Sequence, residues 1–276
     1  MADADAQQIT RASKSNLALA FVSLGPEQRR DITTFYAFCR LIDDIADSTE
    51  LAVSEKAERL TTWRRVLSTP QLNEPPLAPE IRALIAKYGL TPAMLEEIIA
   101  GVEMDLNQSR YATFEELRLY CYRVASAVGL VSIEIFGYRN PQCREYAIEL
   151  GLALQTTNII RDVGKDLETG RIYLPQDELA RFGYSEEELL GRTYNDRFLA
   201  LMDSQAQRSR EFYRKAAALL PREDRRSMVA AEIMGSVYRS LLTRIERDRF
   251  RVFTTEYRLN RLQKAMRVAA QLLRCR

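Results

Sequence analysis

Gly151-Leu-Ala-Leu-Gln-Thr-Thr-Asn-Ile-Ile-Arg-Asp-Val-Gly-Lys-Asp166 is the segment on which the reading of this chain turns. Wound at 100° per residue, Gln155, Asn158, Asp162 and Asp166 fall within about 80° of one another on a helix. All four offer oxygen ligands, and Gly151 on the same side leaves room beside them. A solvated helix face more often carries Lys and Glu, because short Asn and Asp side chains compete with the helix backbone. Their use at four stacked positions calls for a chemical reason.

A second stripe lies upstream in Tyr36-Ala-Phe-Cys-Arg-Leu-Ile-Asp-Asp-Ile-Ala-Asp47. Tyr36, Cys39, Arg40, Asp43 and Asp47 share an arc of about 100°, with Asp43 and Asp47 one turn apart. Phe35, Phe38, Ile42 and Ile45 cover the adjacent faces, which argues against an open surface. Like charges at i and i+4 repel unless a cation lies between them. Hard oxygen ligands on two helices suit Mg²⁺, which takes one or two carboxylates and completes its shell with water and phosphate. Two facing stripes would make a cage for a diphosphate bridged by metal ions. The alternative for each stripe is a surface feature whose aspartates form ordinary ion pairs, Arg40–Asp44 among them.

The rest of the sequence narrows the chemistry. The chain has 276 residues, 46% hydrophobic and 28% charged, with 11 Gly and 9 Pro, a globular composition. It has no histidine, so no His-containing triad, His-ligated zinc or Glu-x-x-His di-iron bundle can be built from it. Its four cysteines are scattered without a Cys-x-x-Cys pair and read as reduced packing residues. The first residues carry Asp3 and Asp5 and no apolar run. No stretch reaches the roughly 18 consecutive apolar residues of a membrane span. Net charge is +2, but residues 222–276 hold 14 Lys/Arg against 6 Asp/Glu. That basic third would suit anionic lipid, nucleic acid or a phosphorylated substrate, or would be a solvated helical face.

Nearly every segment has the 3.6-residue period, which predicts a single all-α domain over residues 1–276. Helices are expected at 26–47, 53–67, 77–88, 91–108, 113–136, 140–167, 194–220, 222–249 and 255–274. The proline-rich stretch 68–79 reads as a surface loop, and 168–176 as a second break.

At this point the sequence resembles the squalene/phytoene synthases. The likeness runs from about Ser13 to Lys264. It rests on the two aspartate segments, on Tyr120-Cys-Tyr-Arg-Val-Ala-Ser-Ala-Val-Gly129, and on Gly170-Arg-Ile-Tyr-Leu-Pro175. The resemblance implies an isoprenoid-synthase-type helical bundle with a central cavity, two or three Mg²⁺ ions, and head-to-head joining of two allylic diphosphates through a cyclopropyl product. Carried over by position, Asp43, Asp47, Asn158, Asp162 and Asp166 resemble metal–diphosphate contacts, with Gln155 beside them. Arg40, Arg161 and Arg171 are similar to phosphate-contacting arginines, and Lys264 to a basic residue of the final helix. Tyr36, Tyr173 and Tyr238 look like pocket tyrosines near the reacting carbons. Ser13-Lys14-Ser15 resembles a substrate-diphosphate loop, although Ala12 and Asn16 depart from the usual flanks. Arg123, Ser126 and Ala127, and Thr255-Glu256, depart as well.

The leading expectation is condensation of two farnesyl diphosphates to presqualene diphosphate, with squalene or dehydrosqualene as further products and NADPH use left open. The runner-up is phytoene synthesis from two geranylgeranyl diphosphates. Channel depth separates them, with Phe21 and Thr33 as candidate floor positions and Ala125, Val128, Gly129 and Ser132 as candidate wall. Ring faces of Tyr36, Tyr120, Tyr122 and Tyr238 could steady an allylic cation. A monomer or homodimer is expected, cytoplasmic, with peripheral contact at the inner membrane face as an option. Two other classes stay open, a non-catalytic assembly protein of this fold and a nucleic-acid binder using the basic third. No nucleic-acid recognition motif supports the latter.

Overall fold

The structure is a computed structural model that describes residues 20–274. Twelve α-helices are named here: α1 (Pro26–Asp47), α2 (Val53–Ser68), α3 (Ala78–Tyr88), α4 (Pro92–Asn107), α5 (Phe114–Cys121), α6 (Ala127–Phe136), α7 (Cys143–Asp166), α8 (Gln176–Arg181), α9 (Glu186–Leu190), α10 (Asp196–Leu219), α11 (Val229–Arg247) and α12 (Arg261–Arg274). Among the described residues there is no β-strand. The all-α expectation holds.

Helix ends follow local chemistry. Pro26 and Pro92 sit in the first turns of α1 and α4, where the missing N–H costs nothing. Thr113 and Asn195 cap α5 and α10 by accepting N–H bonds from Glu116 and Phe198. Between α5 and α6 the backbone widens into a π segment, Tyr122–Ser126, inside one continuous helical run. Glycines make room for it on both sides. A Cβ at Gly101 of α4 would stand 2.7 Å from Arg123 Cβ, and one at Gly151 of α7 would stand 2.5 Å from Ser126 Cα. π-bulges re-aim side chains and are frequent at functional sites.

α7 is the axis of the molecule. Its Tyr146, Leu150, Leu152, Ala153, Ile159 and Ile160 are buried, and it packs against α6, the π segment, α10 and α11. The α7–α10 seam holds one polar cluster, where Thr157 Oγ1 lies 2.9 Å from Ser209 Oγ and 3.0 Å from the Tyr213 hydroxyl. Buried hydroxyls keep such partners because an unmade hydrogen bond in the core costs about 1–3 kcal/mol. One hydrophobic cluster runs through all these helices, from Ala20 to Tyr257.

Three sequence expectations need correction. The segment 168–193 contains two short helices, α8 and α9, where none was expected. α9 starts from a capping box in which Ser185 and Glu188 bond each other's backbone N–H. The helix expected at 222 begins only at Val229. Asp224 is fully buried ahead of it, accepting N–H bonds from Arg139 (2.8 Å) and Asn140 (2.9 Å), and this ties residues 222–224 into a 3₁₀ turn. The helix expected at 255 starts at Arg261, because the chain turns at Arg249 and Phe250 with positive φ (54° and 55°) and seats Phe250 in the core. The run Phe114–Phe136 is long and apolar enough, by length and composition, to cross a membrane. Here it is a core helix packed on α4 and α7.

Candidate active site

The two aspartate stripes meet across one polar cavity of about 320 Å³. α1 contributes Asp43 and Asp47, and α7 contributes Gln155, Asn158, Arg161 and Asp162. The third wall is an extended segment behind α7. Gly170, at φ 74°, turns the chain back, Arg171 N–H bonds the Asp166 carbonyl (2.9 Å), and Ile172 N–H bonds the Ser109 carbonyl (2.9 Å). That turn favours glycine because its backbone lies in the left-handed region. It delivers Arg171 and Tyr173 to the cavity.

Charge in this cavity is crowded and only partly paired. Arg171 lies 3.3 Å from Asp47, and Arg161 grips Asp162 through both carboxylate oxygens, Nε to Oδ1 at 2.8 Å. The Asp43 carboxyl is pushed up to about 7, first by burial and then by Asp47, Asp44 and Asp105, against the lowering effect of Arg40. Its side chain keeps 44% of its surface open. It lines the polar cavity together with Asp47 and Asp105. Asp166, one turn beyond Asp162, is also raised to about 7, by burial and by Asp162. It lines a small adjoining crevice with Arg171 and Tyr173. Asn158 Oδ1 is buried with no hydrogen-bond partner.

These observations test the donor set for a cation. Raised carboxyls in a shared cavity and an orphaned amide oxygen are groups that a divalent ion would satisfy. Among the described residues no three acidic side chains converge into a closed metal cage. The fit is to Mg²⁺ held by one or two carboxylates, with its remaining shell open to water and phosphate.

Beside the polar cavity lies an apolar one of about 190 Å³. Val124, Gln155 and Asn158 line both. From that shared rim the apolar cavity follows α6 past Ala125, Val128, Gly129 and Ser132 to Ile133 and Phe136, roughly 18 Å at 1.5 Å per residue. The small residues expected as its wall do line it. Leu150, Gly151 and Leu154 of α7 and Ala230, Ala231 and Met234 of α11 close the other sides.

The expected site residues divide by place. Asp43, Asp47, Gln155, Asn158, Arg161, Asp162, Arg171 and Tyr173 come together around the polar cavity, and Asp166 stands next to it. Tyr238 lines the apolar cavity and acts electrostatically on Arg161 of the polar one, so it sits near where the two spaces join. Arg40 does not line the polar cavity. It lies 2.6 Å from Asp44 and 3.6 Å from Asp43, which is the ion-pair alternative for that residue. Tyr36 meets Phe21 edge-on at 6.4 Å and lines neither cavity. Tyr122 packs on the core outside both. Phe21 lines the apolar cavity as expected, whereas Thr33 turns its hydroxyl onto the Arg29 carbonyl (2.6 Å). Lys264 is half-buried on α12 and lines neither cavity. Ser13, Lys14 and Ser15 lie outside the described residues.

The sequence reading passed over Asp105 on α4. Its Oδ1 accepts a hydrogen bond from Tyr173 (2.7 Å) and its Oδ2 one from Tyr120 (3.0 Å). Burial raises its carboxyl, against the lowering effect of Tyr173, Arg171 and Tyr120. The signal was an Asp near the end of the helix, one turn after Gly101, without a second carboxylate in register to mark it.

The chamber joins a carboxylate-lined polar end to an apolar end, which suits a substrate with an anionic head and a hydrocarbon tail, such as a prenyltransferase takes. The family model for squalene/phytoene synthase matches residues 10–265, and the chain belongs to that family. A phytoene synthase of Arthrospira platensis is 37% identical, the match covering 98% of this chain and 92% of that protein. A 15-cis-phytoene synthase of Synechococcus elongatus is 36% identical over 90% of this chain and 85% of its own length. In three dimensions the chain superposes on a dehydrosqualene synthase with a TM-score of 0.86 at 24% identity, covering 99% of this chain and 95% of the other. A squalene synthase of Alicyclobacillus acidocaldarius gives 0.78 at 23%, with 90% and 94% covered. At these identities the two structures speak for the shared all-α fold.

Proposed function

We propose that the protein condenses two molecules of geranylgeranyl diphosphate head to head and carries the product on to phytoene. The observation that carries this reading is the join between the two cavities. An allylic diphosphate placed with its head among the aspartates and arginines would run its prenyl chain along α6, with C1 at the rim of Val124, Gln155, Asn158 and Tyr238. The preference between substrates is the reverse of the sequence expectation. Curated relatives at 36–37% identity carry the name phytoene synthase, whereas the C30-forming structural neighbours lie below 25% identity and speak only for the fold.

On this reading Asp43 and Asp47 on one helix, and Asn158, Asp162 and Asp166 on the other, would hold two or three Mg²⁺ ions, each through one or two carboxylates. When bound, the ions would supply charge neutralisation for the departing diphosphate. Arg171 and Arg161, already inside the polar cavity, would donate to the same oxygens once Asp47 and Asp162 turn from them to the metal. The apolar walls exclude water from the allylic cation, which would otherwise be quenched to an alcohol. The Tyr238 ring, which lines the apolar cavity, would on this reading present its face to that cation, worth about 0.5–2 kcal/mol depending on desolvation. Phytoene forms by loss of a proton, so this reaction consumes no NADPH.

The test is incubation of purified protein with Mg²⁺ and geranylgeranyl or farnesyl diphosphate, with and without NADPH, read by mass spectrometry. A C40 hydrocarbon formed without NADPH is the expected result. A C30 product, or presqualene diphosphate from the C15 substrate with the C20 substrate untouched, would return the assignment to farnesyl diphosphate. Consumption of neither by folded, metal-loaded protein would favour a non-catalytic relative.

A further inference from the structure

Asp105 is the one carboxylate of the polar cavity that neither aspartate stripe contains. It differs from the others in how it is engaged. Asp43, Asp47 and Asp162 meet guanidinium groups or open space, whereas both oxygens of Asp105 are taken up by phenols, Tyr173 on Oδ1 and Tyr120 on Oδ2. The two hydroxyls also approach each other at 3.3 Å, and their rings stack with centroids 5.1 Å apart. Tyr111 backs the pair, its centroid 5.6 Å from Tyr120 and 5.9 Å from Tyr173. Three separate pieces of chain, α4, α5 and the extended segment after Gly170, are brought together to make this cluster. Tyr120 and Tyr173 line the cavity on the side where Val124 begins the apolar space.

Atom balance gives such a cluster a task. Joining two allylic diphosphates with loss of one diphosphate anion leaves a carbocation, and the skeleton becomes neutral only when a C–H bond breaks and its electron pair enters the new ring or double bond. The proton needs an acceptor inside a chamber that excludes water. A carboxylate that already holds two phenolic protons makes the phenol oxygens richer in electrons, and each phenol keeps a lone pair for the cavity. We infer that Asp105 is the terminal proton acceptor of the condensation, acting through Tyr173 or Tyr120. The carbon's proton passes to a phenol oxygen, the phenol's own proton passes to Asp105, and the C–H pair closes the carbon framework. Asp105 is thus a positioning and relay residue that does not touch the substrate. It is set apart from the stripe aspartates because its oxygens are held by phenols, which can hand on a proton, whereas the Arg161 guanidinium on Asp162 cannot. Its carboxyl, raised by burial, agrees with the role, since burial makes a carboxylate the more basic and the readier to accept a proton. The other charged or titratable groups acting on it are Arg171, Asp43, Asp47, Asp166 and the three tyrosines.

The inference rests on head-to-head condensation but not on chain length, so the experiment uses whichever allylic diphosphate the wild type consumes. Asp105→Asn, Tyr173→Phe and Tyr120→Phe are compared with wild type in single-turnover reactions in H₂O and D₂O. Diphosphate release, product identity and Mg²⁺-dependent pyrophosphate binding by calorimetry are read in parallel. Asp105→Asn is expected to slow neutral product formation by about 10²–10³-fold, the usual contribution of a positioned acid or base. Carbon should divert to the prenyl alcohol, the solvent isotope effect of the wild type should shrink, and pyrophosphate binding should stay within about twofold. Two results would overturn the idea. One is wild-type rate, products and isotope effect in Asp105→Asn. The other is loss of Mg²⁺-dependent pyrophosphate binding, which would make Asp105 a metal ligand. Should Asp105→Asn fail to fold, the tyrosine variants decide, because wild-type products and isotope effects in both would leave the relay without its first member. Preference of the wild type for the C15 substrate would overturn the chain-length proposal and leave this one standing.

Discussion

At the scale of single residues, the aspartates carry the heaviest electrostatic load in the molecule. Asp43 and Asp166 are both raised to about 7, from an ordinary aspartate value near 4. Between those two pH values the folded protein binds more protons than the unfolded chain does. These two groups therefore make the metal-free protein less stable as pH rises from about 4 to 7, with no further loss above. Melting curves in a chelator should show this as a downward slope of wild type relative to an Asp43→Asn/Asp166→Asn variant, and Mg²⁺ with pyrophosphate should flatten it. An unchanged difference between the two proteins across that range would contradict the burial of these carboxyls. Asp47→Asn and Asp162→Asn should each lower turnover by at least about 10²-fold through lost metal–diphosphate binding, as expected when fixed transition-state electrostatics are removed. Their melting temperatures should stay near that of wild type. Near-normal turnover in both would sink the role proposed for the stripes.

At the scale of elements, α7 was the most legible part of the candidate site and α4 the least. α7 announces itself because four oxygen-bearing side chains recur at helical spacing against Leu and Ile, so pattern and chemistry coincide. α4 was found as a helix, but its contribution to the site was not, because a single Asp105 forms no pattern until Tyr120 and Tyr173 are placed against it. The same reason hid the π segment. Nothing in Tyr-Arg-Val-Ala-Ser dictates a wider turn; Gly101 and Gly151 on two other helices permit it. Gly151→Ala would push a methyl into Ser126 backbone, and overpacking of this kind typically costs about 1–3 kcal/mol. Urea unfolding should show that loss. α9 was missed although Ser185-x-x-Glu188 was there to read, since five residues are too few to show a period. Arg40 was expected to reach phosphate because its position matched, and its own helix supplies a nearer partner in Asp44.

For the molecule as a whole, stability is anchored away from the chemistry. Asp224 closes the loop before α7 onto the turn before α11, accepting two backbone N–H bonds and lying 3.4 Å from Cys143 Sγ, with none of its surface exposed. Asp224→Ala would strand those donors in the core and should cost about 2–4 kcal/mol, since buried charged hydrogen bonds are worth more than neutral ones. Turnover per folded molecule should be unchanged, because the residue lines neither cavity. A stability loss below about 0.5 kcal/mol would show that water replaces the carboxylate.

The shared rim of Val124, Gln155 and Asn158 also bears on how the catalytic cycle ends. Substrate on this reading is held at two ends by unlike forces, whereas a hydrocarbon product has given up its ionic end and keeps only its grip on the greasy wall. The finished product therefore competes weakly with incoming substrate, and the shed pyrophosphate competes strongly because it retains every contact of the headgroup. Turnover in a closed vessel should slow as pyrophosphate builds up and recover on adding a pyrophosphatase, whatever the concentration of hydrocarbon already made.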